Sequence, residues 1–281
     1  MMTQTVELAF TYRMEDVLRR LALDPLNSVD LSNQTVKIPL DETIITVQSI
    51  GTLHEPKFIL TGLETEEQYE RVLSIFHFNR SLLPIHEHFL ETNLHSLFLK
   101  FEGTPIITDF SLYGNIMKSI IHQQLNLTFA RTLTERFVHT FSKSKEGVWL
   151  YPAPEIIANL DVGTLRQMQF STRKAEYMIG ISKAIVEGAL NLEALVTESD
   201  DFILSELIKY RGIGPWTAES FLLFGLGREN LFPLADIGLQ NSLKQQWHLD
   251  RKPMKSEITP HLASWAPYNS YAALYLWRNI E

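Results

Sequence analysis

Along the first hundred residues the apolar positions alternate with polar ones in short bursts. Val36–Leu40, Thr43–Ile50 and Lys57–Thr61 are β-branched runs punctuated by Asp41-Glu42 and Gly51, which predicts a meander of strands. Val6–Tyr12 reads as a further strand, while Arg13–Leu23 and Glu66–Phe78 carry apolar side chains at helical spacing. Helical pattern resumes over Ile85–Leu97, and the Gly103-Thr104-Pro105 turn marks a boundary. Beyond it the period changes to that of helices almost throughout. The candidates are Leu112–Gln124, Leu127–Phe141, Pro154–Asn159, Val162–Gln167, Arg173–Glu187, Asp200–Tyr210, Pro215–Leu226, Gly238–Trp247, Ser256–Trp265 and Ser270–Asn279. The pattern predicts an α+β domain over residues 1–105, an antiparallel sheet with helices, followed by an all-α array over residues 106–281.

Composition narrows the class. At 281 residues and 45% apolar the chain can bury a sizeable core, and no apolar run approaches the length of a membrane span. The absence of cysteine removes disulfides, thiolate zinc sites, iron–sulfur clusters and thiol nucleophiles together. The N-terminus lacks the basic head and apolar stretch of a signal peptide, so the expectation is a soluble, cytoplasmic protein. The net charge of −8 argues, taken alone, against a nucleic-acid partner. The charge is uneven, however: residues 1–105 hold 8 basic and 15 acidic side chains, and the remainder 17 and 18. The acidity belongs to the first part, and the helical part is close to neutral.

One segment of that neutral part carries a chemical signal. In Leu207-Ile208-Lys209-Tyr210-Arg211-Gly212-Ile213-Gly214-Pro215-Trp216-Thr217 an amphipathic helix stops, two glycines flank an isoleucine, and a second helix starts with proline in its first turn. Outward-facing amides of Gly212 and Gly214 at a helix N-terminus form an anion site, able to grip a phosphate with few Lys or Arg. Read as bare GxG, the same segment is more readily an ordinary turn between helices with a glycine cap; the Pro-Trp-Thr-Ala run that follows makes the signal specific. His86 and His88 lie two apart and would face different sides of a helix, a poor metal pair.

The segment resembles the helix–hairpin–helix of the base-excision DNA glycosylases. Leu231-Phe232-Pro233-Leu234-Ala235-Asp236 is similar to the Gly/Pro-rich loop and Asp that follow the hairpin in that superfamily. Ile120-Ile121-His122-Gln123-Gln124-Leu125, Tyr151-Pro152-Ala153-Pro154-Glu155 and Ser264-Trp265-Ala266-Pro267-Tyr268 match further blocks, the last in the manner of DNA-3-methyladenine glycosylase II. The resemblance spans roughly residues 106–281. It implies a monomeric DNA glycosylase, acting on chromosomal DNA, that everts and hydrolytically releases alkylated purines from duplex DNA in base-excision repair. Lyase members of the superfamily place a nucleophilic Lys where this chain has Trp216, so no strand-nicking lyase activity is expected. The rivals are a non-catalytic hairpin DNA-binding module and an 8-oxoguanine-type glycosylase/lyase.

The residue roles follow from the resemblance and the reaction. Asp236 is the expected catalytic group, since cleavage of a glycosidic bond builds positive charge on the sugar that a neighbouring carboxylate stabilises. Taken without its surroundings, Asp236 is more readily a helix N-cap; the surrounding motifs turn the reading to catalysis. A lone carboxylate suffices when the leaving base is already cationic, so a paired general acid is unnecessary. Trp216 and Trp277 are expected around the everted base, where a cationic purine on an indole gains roughly 0.5–2 kcal/mol. Trp265, Tyr268 and Tyr271 read as core. Gln124 is the expected wedge in the duplex and Gln123 its support. Gly212, Gly214 and Thr217 are expected at phosphate, with Lys209 and Arg211 as electrostatic additions. The resemblance requires no cofactor, but implies that the hairpin carbonyls of Ile208, Tyr210 and Ile213 hold a monovalent cation, Na+ or K+. Ser220 stands where some relatives carry an aromatic side chain, which leaves the lesion range open.

Overall fold

A computed structural model of the chain describes residues 2–40 and 42–280. Asp41, part of the punctuation between two predicted strands, lies outside them. The N-terminal part holds a five-stranded antiparallel sheet built from β1 (Met2–Glu7), β2 (Ser28–Asp30), β3 (Thr35–Leu40), β4 (Thr43–Ser49) and β5 (Lys57–Leu63), in the order β1-β5-β4-β3-β2. Alternation decides which face is covered: Val36, Ile38 and Leu40 of β3 are fully buried, and their neighbours Thr35, Lys37 and Pro39 are half-buried. Sharing one core with the sheet are α1 (Met14–Ala22), α2 (Glu66–Ile75), α3 (Leu83–Leu90) and α4 (His95–Lys100).

The rest of the chain is helical. It runs through α5 (Leu112–His122), α6 (Leu127–Phe141), α7 (Pro154–Ala158), α8 (Val162–Gln167), α9 (Thr172–Val186), α10 (Leu192–Leu195) and α11 (Asp200–Leu207) to α12 (Pro215–Ser220). Then follow a π-helical turn (Phe221–Gly225), α13 (Ile237–Gln246), α14 (Lys255–Trp265) and α15 (Asn269–Arg278). Starts are set by side chains that accept the first free amides, as Ser111, Asn126, Asp161, Ser171 and Ser199 do. Each such cap stabilises its helix by about 1 kcal/mol. One small hairpin, β6 (Ser144–Lys145) with β7 (Val148–Trp149), interrupts the helices.

The structure departs from the sequence pattern at several points, each for a local reason. The first strand is Met2–Glu7; beyond it Tyr12 is a core residue whose hydroxyl donates to the Phe76 carbonyl. The expected helix Ile85–Leu97 is two helices, because Thr92 Oγ1 donates to the Phe89 carbonyl and accepts the Leu94 amide, replacing the helical ladder. The helix expected over Pro215–Leu226 changes pitch at Phe221: the Leu226 amide reaches back five residues to the Phe221 carbonyl.

Two apolar cores result. One joins α5 to α9 and their neighbours around Ile116, Ile120, Phe137, Met178 and Leu207. The other holds the sheet with α1–α4, and α13, α14 and α15 return to it through Leu239, Leu243, Ile258, Trp265, Tyr271 and Leu276. Trp265 and Tyr271 are fully buried there, and Tyr268 packs against the same core. The chain thus closes on its first core after building its second. The hairpin between α11 and α12 lies on the second core, while α15 lies on the first.

Candidate active site

Everything at the hairpin turns on its two glycines. Gly212 has φ +104°, in the left-handed region, and a Cβ there would lie 2.4 Å from Cγ of Tyr177, so neither the backbone nor the space admits a side chain. Around Gly214 there is nothing within 4 Å of an added Cβ. That glycine faces outward at the N-terminus of α12. Ile213 is buried between the helices, and its amide donates to the Tyr210 carbonyl at 3.0 Å.

Gln123 holds this turn from the end of α5. Its Nε2 donates to the Gly212 carbonyl at 2.9 Å and to Thr217 Oγ1 at 3.0 Å. The Thr217 side chain is buried and accepts this bond inside the turn, so an approach to phosphate at this position would run through its backbone amide. Next to Gln123, Gln124 is exposed with φ +55°, so its side chain leaves the helix end at the strained position of a reversal. His122 turns inward to Thr134 Oγ1 at 3.1 Å, and burial, with Lys118, Lys174 and Arg131 nearby, lowers its pKa to about 4. Lys174 donates to the Ile121 carbonyl, and burial brings its ammonium down to about 8. The two cations expected to add to the hairpin are paired: Lys209 with Glu206, and Arg211 with Glu176 at 3.3 Å.

Asp236 ends a loop tied down from the start of α15. Ser270 Oγ donates to the Arg228 carbonyl and accepts the Leu231 amide, the Ser270 amide donates to the Glu229 carbonyl, and Asn269 Nδ2 donates to Asn230 Oδ1. Arg80 of the sheet domain pairs with Glu229. The Asp236 amide then closes a turn onto the Pro233 carbonyl at 2.9 Å. Its side chain does cap α13, with Oδ1 accepting the Leu239 amide at 2.8 Å. The same oxygen accepts the Trp277 indole N–H at 3.0 Å. Two fixed donors on Oδ1 orient the carboxyl group, and Oδ2 has no hydrogen-bond partner among the described residues.

That carboxyl group opens on a cleft of about 330 Å3, at the small end of the range for ligand sites. Trp216, half exposed, and Trp277, half buried, both line it, so the structure brings the two expected indoles and Asp236 together. Leu223 and Phe224 of the π-helical turn form another wall, with the Phe224 ring 5.7 Å from that of Trp277. Two charged lining residues carried no sequence signal for this cleft. Arg20 arrives from α1, its guanidinium 4.5 Å from the Phe224 ring centre, and Glu219 stands one turn along α12 from Trp216. No lysine lines the cleft among the described residues. A larger groove of about 1020 Å3, between Pro39 of β3 and the end of α9, is lined by Tyr151 and Ala153 of one quoted block but by none of the residues given a role at the site.

Elsewhere, the hairpin carbonyls of Ile208 and Ile213 accept no hydrogen bond among the described residues. Tyr210 keeps one lone pair beyond the amide it accepts. His88 Nε2 meets the Ser264 carbonyl at 3.0 Å, a structural contact between α3 and α14.

A helix–hairpin–helix, a Gly/Pro-containing loop and an Asp beside a small aromatic cleft define a class, and the family comparison names it. The model of the HhH-GPD superfamily of base excision DNA repair proteins matches residues 117–267, and the chain belongs to that family. It is 49% identical, over the full length of both, to a Bacillus subtilis protein, YfjP, provisionally named a DNA-3-methyladenine glycosylase. In fold it is similar to the 3-methyladenine DNA glycosylase of Archaeoglobus fulgidus, with a TM-score of 0.83 and 22% identity over 98% of this chain and 97% of that one. It is also similar to the 8-oxoguanine glycosylase/lyase of Clostridium acetobutylicum in complex with double-stranded DNA, at 0.77 and 17% identity over 98% and 97%.

Proposed function

We propose that this DNA glycosylase hydrolyses the N-glycosidic bond of alkylated purines everted from duplex DNA, and that it does so without strand cleavage. The observation that carries the reading is the Asp236 carboxyl group, clamped through Oδ1 with Oδ2 unpartnered, in one cleft with two indoles. A carboxylate held in a preset orientation stabilises charge that develops on the sugar without reorganising during the reaction. Water attacking C1′ passes its proton toward the same group. Trp216 and Trp277 supply π faces on which a flat, electron-poor base stacks. The names of the full-length bacillar relative and of the archaeal fold neighbour support alkylated adenine as the substrate class.

The hairpin serves the other half of the task. Eversion exposes the target at a cost of a few kcal/mol, and the protein must hold the strand while it is out. Amides at Gly212 and Gly214 grip a phosphate, Gln123 stiffens the turn and Gln124 fills the vacated space. A Na+ or K+ on the Ile208, Tyr210 and Ile213 carbonyls suits hard oxygen donors and would turn the positive end of the hairpin toward the phosphate. The partner is double-stranded DNA, and the protein acts as a monomer. No helix among the described residues is long and apolar enough to cross a membrane.

The 8-oxoguanine glycosylase/lyase reading shares the fold but needs an amine in the cleft, where this chain has Trp216. Mass spectrometry of bases released from methylated duplex DNA tests the proposal. 3-Methyladenine and 7-methylguanine are expected from the wild type, with a loss of about 10²-fold or more in Asp236→Asn and lesion binding retained. Undiminished release by that variant refutes the role of Asp236. A borohydride-trapped covalent complex refutes the absence of a lyase.

A further inference from the structure

The cleft holds a second carboxyl group. Glu219 lies on the same face of α12 as Trp216, three residues on, and lines the same wall as Ser220. It has no hydrogen-bond or ion-pair partner among the described residues, although it is partly buried. In glycosidases two carboxyl groups flanking one bond divide the labour: one meets the sugar and the other protonates the leaving group. Asp236 is anchored for the first task by the Leu239 amide and the Trp277 indole. Glu219 is unanchored and faces the space in which an everted base would stand.

We propose that Glu219 is the proton donor to the departing base when that base is uncharged. The inference rests on the glycosylase reading above. A cationic alkylpurine departs neutral and needs no proton, whereas an uncharged purine departs as an anion unless one is supplied. As the C1′–N9 bond breaks, its electron pair stays with the purine and the Glu219 carboxyl proton passes to a ring nitrogen. Water adds its oxygen to C1′ and gives a proton to Asp236. That proton returns to Glu219 through solvent, so the cycle consumes one water.

The surroundings fit this division. Burial raises the Glu219 carboxyl above its ordinary pKa, against the opposing pull of Lys255 at the start of α14. Arg20 from α1 and Asp236 are the other charged side chains on the cleft walls among the described residues. Arg20 lies against the Phe224 ring, 4.5 Å from its centre.

The test compares a neutral with a cationic leaving base in defined duplexes, hypoxanthine against 7-methylguanine, with the full chain. For the wild type, hypoxanthine release should fall as pH rises through the Glu219 pKa, a limb absent from the 7-methylguanine profile. In Glu219→Gln the ratio of hypoxanthine to 7-methylguanine release should drop by about 10²-fold or more, the range of general-acid contributions. The wild-type profile needs no variant, so misfolding of Glu219→Gln cannot rescue the idea. Identical pH profiles for the two bases, a preserved ratio, or release of 7-methylguanine without hypoxanthine each overturns the assignment. Release of neither base overturns instead the glycosylase reading beneath it.

Discussion

Gly238 sits where a side chain would press on two members of the site at once. An added Cβ would lie 3.0 Å from Asp236 Oδ1 and 3.4 Å from the Trp277 ring. Alanine is a better helix former than glycine in the first turn of α13, so Gly238→Ala should leave the melting temperature level or higher. Base release should nevertheless fall by about tenfold, because a few tenths of an ångström at a preset carboxyl group are felt in the transition state. Kinetics and a thermal melt on the same preparation check both halves; full activity would mean that the carboxyl orientation does not matter. At this scale much was legible in the sequence. Asp236, Trp216 and Gln123 belong to ordered motifs, and the structure gathers Asp236, Trp216 and Trp277 at one cleft. Arg20 was not legible, since nothing in an amphipathic helix start tells which distant cleft its basic end will reach. Glu219 lay inside the quoted motif without a signal, because a glutamate on a short helix is ordinary until its neighbours are known. The part Thr217 plays inside the turn was not legible either: its buried side chain accepts from Gln123, a partner 94 residues away in the chain.

At the scale of elements the hairpin separates structure from grip. Gly212 is fixed by the Tyr177 ring against it, whereas Gly214 has open space around it. Gly214→Asp should therefore fold normally, since aspartate is a good residue at a helix N-cap. It should weaken binding to all duplex sequences alike, by about tenfold, because it sets a negative charge against phosphate. Fluorescence anisotropy on two unrelated duplexes reads this, and unchanged affinity would remove the hairpin from the interface. With Lys209 and Arg211 already paired to glutamates, the salt dependence of binding should also be shallow for a DNA protein. Most helices were legible here from periodicity and caps. The π-helical turn was not, because a change of pitch over five apolar residues leaves no trace in the hydrophobic pattern, yet it places Phe224 on the cleft wall. The break in the predicted Ile85–Leu97 helix likewise depends on where one threonine hydroxyl points.

For the whole molecule, two histidines, His77 buried and His122 half-buried, couple stability to pH. Burial lowers His77, between α2 and Tyr271, to about 4, with Arg80 adding to the effect, and His122 at the end of α5 to the same value. The unfolded chain takes up protons at these positions near the ordinary value of 6.5. Stability from keeping both rings neutral is thus present above about pH 6.5 and is lost as pH falls toward 4. Urea titrations across that window should show the decline, and replacing both residues, as His77→Asn with His122→Gln, should flatten it. A decline of equal slope in the double variant would assign it to carboxylates instead.

The break after Gly103-Thr104-Pro105 was legible as a turn, but where the chain goes afterwards was not: α13 to α15 return to the first core. That return has a consequence for α15. One end of this helix ties down the loop before Asp236, the other presents the indole that holds its carboxyl group, and its middle completes the packing beneath the sheet. Excising the sheet would therefore leave the glycosidic chemistry without its backstop, and the strands act as a remote footing for a reaction they never touch.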